Sequence, residues 1–306
     1  MSEIGAEPEE RVVVKVIGIG RKGSKTVGKM SHCMPDGDLL VTSDLSAIDC
    51  LGRHGEILSC DSLVGERIVG SDSKNGMVVG YLVADSLLGA DLVIIVCGME
   101  NEEVVELSLD IADAAREGGV FVVIIAAEDI DGNTIISHCS SRTDCLLCIS
   151  IKSLMPLDDS VSQILSEEAL IDHLVRHAAG RIVQCLTEQG LSCLDLADIQ
   201  VILGDGDSTY MGIGIADGEA KGKDAASRAV QSISRQGMDI QRSAGVLAIV
   251  EGSTNMSMDD FDEAARVFID MLPEENNVVF GCYFDDSFGG NVKVTVFSSY
   301  SNGSKQ

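Results

Sequence analysis

Three short stretches of this 306-residue chain hold residues whose types and spacing could do chemistry. In "GIGRKGSK", Gly18, Gly20 and Gly23 form a G-x-G-x-x-G after an apolar run, a spacing that lets backbone N–H groups close on phosphate. The same triplet serves equally well as a tight strand-to-helix turn, and Arg21, Lys22 and Lys25 crowd it with positive charge. In "ENEEVVE", Glu100, Glu102, Glu103 and Glu106 gather, with Asn101, where a buried strand turns into a helix. Open α/β sheets bind anions at such junctions, because the helix N-terminus offers unpaired N–H groups and partial positive charge. Carboxylates there satisfy the helix dipole themselves and repel an incoming phosphate. In "CLDLAD", Asp195 and Asp198 stand three residues apart, a spacing that suits capping of the helix that follows.

Other reactive residues carry weaker signals. His173 and His177 lie one helical turn apart and could share a metal, but no third ligand is evident, so a solvated helix face is expected and no metal. Cys145 and Cys148 form a C-x-x-C inside the strand-like "CLLCISI", where residues three apart face opposite sides. No G-x-S-x-G nucleophile elbow occurs, and nothing indicates an independent enzyme.

The totals narrow the partners. A hydrophobic content of 45% beside 23% charged residues belongs to a folded chain rather than a disordered one. The formal net charge of −27 repels DNA, RNA and anionic lipid, so nucleic acid is not an expected partner. The N-terminal "MSEIGAEPEER" lacks a signal peptide's basic and apolar regions, and runs such as "GVFVVIIAA" are too short to span a bilayer. A cytoplasmic location without membrane insertion is the expectation, and the cysteines, scattered through apolar segments, read as small core residues.

These residues need elements to hold them. "RVVVKVIGIG", "DLLVTSD", "DLVIIVCG", "VFVVIIAA" and "CLLCISI" are near-continuous Val/Ile/Leu runs, as expected of strands buried on both faces of a parallel sheet. Between two of them, Val104, Leu107, Ile111 and Ala115 repeat at helical spacing, which predicts a doubly wound α/β domain over 1–165. A central helix over 166–190 follows, with Leu170, Leu174, Ala178, Ile182 and Leu186 along one face and Gly190 as its stop. Residues 191–300 alternate differently and predict a smaller α+β domain, with 301–306 a disordered tail.

Taken in order, "VIGIGRKGSKTVGKM", "GADLVIIVCGM", "GLSCLDLADIQ", "AGVLAIVEG", "DDFDEAARVF" and "NVKVTVFSS" resemble the FtsZ/tubulin superfamily, the FtsZ branch in particular, across residues 12 to 300. The resemblance implies a head-to-tail polymer with GTP sandwiched between subunits. One subunit binds the nucleotide through glycine loops, and the next supplies two acids that position the attacking water. The acid-supplying half is largely kept. Asp195 and Asp198 match both acids of the family's Asn-x-Asp-x-x-Asp, with Cys193 in place of the Asn.

The nucleotide-binding half is not kept. The family's Gly-Gly-Gly-Thr-Gly-Thr-Gly corresponds to Glu100, Asn101, Glu102, Glu103, Val104, Val105 and Glu106. Glu168 stands at the base-stacking aromatic, His173 at the base-recognising Asp, and Ile151 at an Asn that holds the nucleotide. At an effective dielectric near 20, each like-charge pair about 5 Å apart costs roughly 3 kcal/mol, so several glutamates would oppose a triphosphate strongly. Arg21, Lys22 and Lys25 are expected to pair with these glutamates or to make subunit contacts.

The resemblance therefore implies an FtsZ-like protein that assembles with itself, or that docks on an ordinary FtsZ to modulate or cap its filaments, without hydrolysing nucleotide. No cofactor is expected on this reading. Its alternative is a polymer-forming GTPase whose glutamates hold Mg²⁺ against the phosphates.

Overall fold

The computed structural model describes residues 12–30, 39–42, 56–59, 87, 89–98, 102–127, 138–151, 166–188, 190–192 and 194–301. Glu100, Asn101 and Cys193 lie outside the described residues, as do 1–11 and 302–306. The described strands are β1 (Val14–Ile19), β2 (Leu39–Thr42), β3 (Glu56–Ser59), β4 (Leu92–Cys97), β5 (Phe121–Ala127), β6 (Cys145–Ile149), β7 (Ser208–Ala216), β8 (Gly245–Gly252), β9 (Asn277–Phe284) and β10 (Val292–Tyr300). The described helices are α1 (Gly20–Gly28), α2 (Glu102–Glu117), α3 (Glu167–Thr187), α4 (Leu196–Gly204), α5 (Lys221–Arg235) and α6 (Met258–Met271).

The strands join in one sheet of order β3-β2-β1-β4-β5-β6-β7-β10-β8-β9. From β3 to β6 every pairing is parallel, as the unbroken apolar runs predict. Strand β3 is an addition: its sequence, Glu-Ile-Leu-Ser, lacks the continuous Val/Ile/Leu run that marks the other parallel strands. A short parallel pairing, Leu147 with Thr209 and Cys148 with Tyr210, carries the sheet from β6 to β7. Beyond it β10 runs antiparallel to both β7 and β8, and β9 is parallel to β8 at the edge.

Alternate residues of each parallel strand serve opposite layers, because strand side chains alternate. In β4, Leu92, Ile94 and Val96 enter the core shared with α1 and α3, whereas Val93, Ile95 and Cys97 enter the core under α2. Cys145 and Cys148 divide the same way, and burial pushes both thiols up to about 12. A third core lies under α5 and α6, formed with β7, β8 and β10.

Helix α3 is the axis of the molecule. Leu174, Val175, Ala178, Ala179, Ile182 and Val183 are buried, a double stripe that meets the parallel strands and also Leu247, Ile249 and Phe297 of β8 and β10. The helix ends at Thr187, three residues short of Gly190. Gly190 has a different task. A Cβ there would lie 2.6 Å from the Cys282 carbonyl oxygen, where the chain passes close to β9.

Candidate functional site

The glycine triplet follows from close packing. Gly20 has φ of +75°, which favours glycine, and opens α1 directly after β1. A Cβ on Gly18 would lie 2.5 Å from the Gly23 carbonyl oxygen, and one on Gly23 would lie 2.2 Å from the Val96 carbonyl oxygen. Glycine at these positions lets α1 lie against β1 and β4, whatever ligand the turn holds. The Ser24 hydroxyl fastens the turn by donating to the Gly18 carbonyl at 3.0 Å.

Where α1 faces the N-terminal end of α3, a cavity of about 560 Å³ opens at the C-terminal ends of the parallel strands. Among the described residues its charged lining is Lys22 and Lys25 from α1 and Lys29 just after it, against Glu167, Glu168 and Asp172 from α3. Ile151, Ile171 and Val175 supply apolar wall. Asp172 spans the two helices. Its carboxylate accepts from Thr26 Oγ1 at 2.6 Å and from Lys29 Nζ at 2.8 Å, with Arg176 Nε at 3.4 Å. Burial raises its pKa, but the Lys29 and Thr26 hydrogen bonds and the charges of Lys29 and Arg176 outweigh that and hold it below the usual carboxylate range.

The resemblance matches the next residue, His173, to the family's base-recognising Asp. His173 does not line the cavity; Lys293 and Arg176 are among the charges that, after burial, depress its pKa. The helical period was the available signal, because Asp172 lies four residues after Glu168 and so shares its face.

Of the four glutamates at the junction of β4 and α2, Glu102, Glu103 and Glu106 are described. Glu102 and Glu103 are exposed in the first turn of α2, and neither they nor Glu106 lines the cavity. Glu106 accepts from Arg142 at 3.0 Å and meets His138 at 2.8 Å. The His138 hydrogen bond leads in holding its carboxyl below the usual range. Arg142 also reaches Asp110 at 2.7 Å and Asp113 at 2.8 Å, so one guanidinium ties together a stripe of α2 carboxylates. Among the described residues, no ion pair joins Arg21 or Lys25 to Glu102, Glu103 or Glu106. The reason is topological: α1 and α2 pack on opposite faces of the sheet.

Asp195 and Asp198 occupy the far end of α3. They form a reciprocal capping box on α4, with the Asp198 N–H donating to Asp195 Oδ1 at 2.9 Å and the Asp195 N–H donating to Asp198 Oδ2 at 3.1 Å. The cap uses one oxygen of each carboxylate. At 1.5 Å per residue, the 21 residues of α3 separate this end from the cavity by about 30 Å. One molecule therefore does not bring the acids to the cavity.

The cavity is large enough for a nucleotide. Three lysines meet three carboxylates, and Lys29 is committed to Asp172. Among the described lining residues there is no formal surplus of positive charge. Among the described residues, no group of three or more His, Cys, Asp or Glu is arranged to hold a metal ion. No described helix is long and apolar enough to cross a membrane.

Comparison with known proteins places this geometry. Residues 207–299 match the model of the FtsZ family, C-terminal domain. An empty FtsZ dimer from M. jannaschii is similar at a TM-score of 0.78 and 19% identity, over 95% of this chain and 89% of that one. An FtsZ point mutant from M. jannaschii gives 0.75 and 20%, over 94% and 91%. CetZ2 of Haloferax volcanii, in a GTPγS-bound protofilament, gives 0.67 and 14%, over 96% and 95%. At these identities the likeness establishes the fold.

Proposed function

We propose that this chain, which has the FtsZ/tubulin fold and the FtsZ family's C-terminal domain over residues 207–299, is a cytoskeletal protein that assembles without hydrolysing nucleotide itself. It forms filaments of its own, or docks through its Asp195/Asp198 end on an ordinary FtsZ subunit and modulates or caps that filament. One observation carries the reading. Among the described residues that line the cavity between α1 and α3, Glu167, Glu168 and Asp172 accompany Lys22, Lys25 and Lys29, so their formal charges balance. The carboxylates oppose an anion bound beside the lysines and so reduce the attraction it gains there.

The second reading, a GTP-hydrolysing polymer with a Mg²⁺-bridged site, has its own support. The cavity is open, and Lys22 and Lys25 line it. A divalent cation between carboxylate and phosphate would reverse the charge argument. Titration calorimetry with GTP up to millimolar concentration, with and without Mg²⁺, separates the two. No heat in either condition, together with filaments in electron micrographs or an altered polymerisation rate of added FtsZ, is the expected result. Micromolar binding with Mg²⁺ would replace the first reading by the second. Absence of both filaments and any effect on FtsZ would remove both forms of the first.

A further inference from the structure

Three thiols share the layer under α2, and the register of the sheet places two of them. Cys97, the last residue of β4, is in register with Ala126 of β5, and Ala126 is in register with Cys148 of β6. All three side chains enter the core under α2, while their strand neighbours Val96, Ile125 and Leu147 face the other core. They form a row toward the C-terminal ends of the strands, with the small Ala126 between two sulfurs. Cys139 enters the same layer from outside the sheet. It lies in the segment 138–142 that runs along α2, where His138 meets Glu106 and Arg142 meets Asp110 and Asp113. Cys97, Cys139 and Cys148 are all buried. Burial, then the neighbouring Cys97, pushes the Cys139 thiol up to about 11, and Cys139 in turn adds to the burial and the Cys145 charge that raise Cys148. Cys139 is the sulfur that interacts with both ends of the row.

Distance narrows the pairings. Neighbouring strands lie about 4.8 Å apart, so the Cα atoms of Cys97 and Cys148 are about 10 Å apart. That is beyond the span of about 7 Å that a disulfide bridges. Cys145 enters the opposite core. Cys139 stands outside the strands, so a shift of its short segment brings its sulfur to a partner. Cys148 is held inside β6 between Leu147 and Ile149, whereas Cys97 ends β4 and borders the cavity between α1 and α3. We infer that Cys139 and Cys97 are a peroxide-oxidisable pair whose disulfide fastens segment 138–142 to the end of β4, beside that cavity. The inference goes beyond the assembly reading and does not depend on it. In the first step the Cys139 thiolate attacks one oxygen of hydrogen peroxide, and the O–O bond breaks to leave a sulfenic acid and hydroxide, which takes the thiol's proton. The Cys97 sulfur then attacks the Cys139 sulfur, and the sulfenic hydroxyl leaves with the Cys97 proton as water. Two thiols lose two electrons and two protons, and one peroxide becomes two waters. With its thiol at about 11, Cys139 is about one part in 10,000 thiolate at pH 7. The pair therefore answers sustained rather than brief oxidation, faster by about tenfold for each pH unit below 11.

Peptide mapping of the full chain tests this. The protein is treated with hydrogen peroxide between pH 7 and 9, remaining thiols are blocked with iodoacetamide, and tryptic peptides are identified by mass spectrometry. Arg116 separates Cys97 from Cys139, and Arg142 separates Cys139 from Cys145 and Cys148, so a Cys97–Cys139 link has its own peptide mass. Wild-type protein should yield that linked peptide, lost on adding dithiothreitol, and should yield it about tenfold faster per pH unit. Cys148→Ala should keep the link. Cys97→Ala should abolish it and leave Cys139 as a sulfenic acid that dimedone traps. The same treatment in concentrated urea gives the pattern of the unfolded chain, in which Cys139 has no preferred partner. Three outcomes overturn the inference: Cys139 linked chiefly to any other cysteine, Cys139 still a thiol when methionines have become sulfoxides, or a folded-state pattern no more selective than that in urea. The wild-type map decides the question even if a variant fails to fold.

Discussion

Replacing Glu251 by glutamine is expected to unfasten the central helix from the C-terminal strands. Glu251, at the end of β8, is 2% exposed and meets Arg181 of α3 on one oxygen and Lys293 of β10 on the other, the latter at 2.8 Å. Arg181 and Lys293 are themselves only 23% and 12% exposed, so solvent screens the cluster weakly. Glu251→Gln leaves two largely buried cations without their shared counter-ion. Breaking a buried pair in this way costs about 3–5 kcal/mol, against about 5–15 kcal/mol for a whole domain. With a urea slope of about 3 kcal/mol/M, the midpoint should fall by about 1–2 M. Adding Lys293→Met to Glu251→Gln removes one of the two cations and should restore at least about 1 kcal/mol. The variant's deficit should also shrink with rising pH. Burial, aided by Arg181, holds the Lys293 pKa below 10.5, and Glu251 opposes that fall. Without Glu251 the folded-state pKa drops further, so the unfolded chain binds more protons than the folded one and stability rises with pH up to about 10.5. A midpoint shift below about 0.3 M, or no recovery in the double variant, would mean that water already solvates the cations and that the cluster is not a fastening.

Other positions give independent tests. His177 donates to or accepts from Thr295 Oγ1 at 2.9 Å, and burial, followed by Lys293 and Arg181, holds its pKa well below 6.5. The unfolded chain thus takes up a proton that the folded chain refuses, so stability should fall as pH drops below 6.5, by at most about 1.4 kcal/mol per unit; His177→Gln should flatten that slope in urea titrations from pH 7 to 5. Glu167→Gln with Glu168→Gln leaves the cavity lysines in surplus and should raise GTP affinity by roughly ten- to a hundredfold in calorimetry, whereas unchanged binding would show that lining charge does not control access. Gly23→Ala drives a Cβ toward the Val96 carbonyl and should cost about 1–3 kcal/mol in thermal or urea unfolding, with no ligand present.

Much of the framework was legible in the residues themselves, because it depends on periods within single elements. The apolar runs of β1, β4, β5 and β6 could only be strands buried on both faces, and the spacing in α2 and α3 could only bury one side of a helix. Asp195 announced the start of α4 because capping is a three-residue affair. Which charges meet was a different matter. Arg21 and Lys25 stand near Glu102 to Glu106 in a pattern of strands and turns, yet the crossovers put α1 and α2 on opposite faces, and Glu106 finds Arg142 instead. The partnership of Thr26 and Lys29 with Asp172 spans more than 140 residues and depends on the rotation of α3 about its axis; one residue's difference, about 100°, decides between Asp172 and His173. Arg181, Glu251 and Lys293 likewise converge only because α3 crosses the end of β8 beside β10. Sequence determined the elements, their faces and their caps, since neighbouring residues dictate those. Tertiary structure alone decided which side chains line the cavity, because it opens where helices far apart in the chain are brought face to face on one side of the sheet.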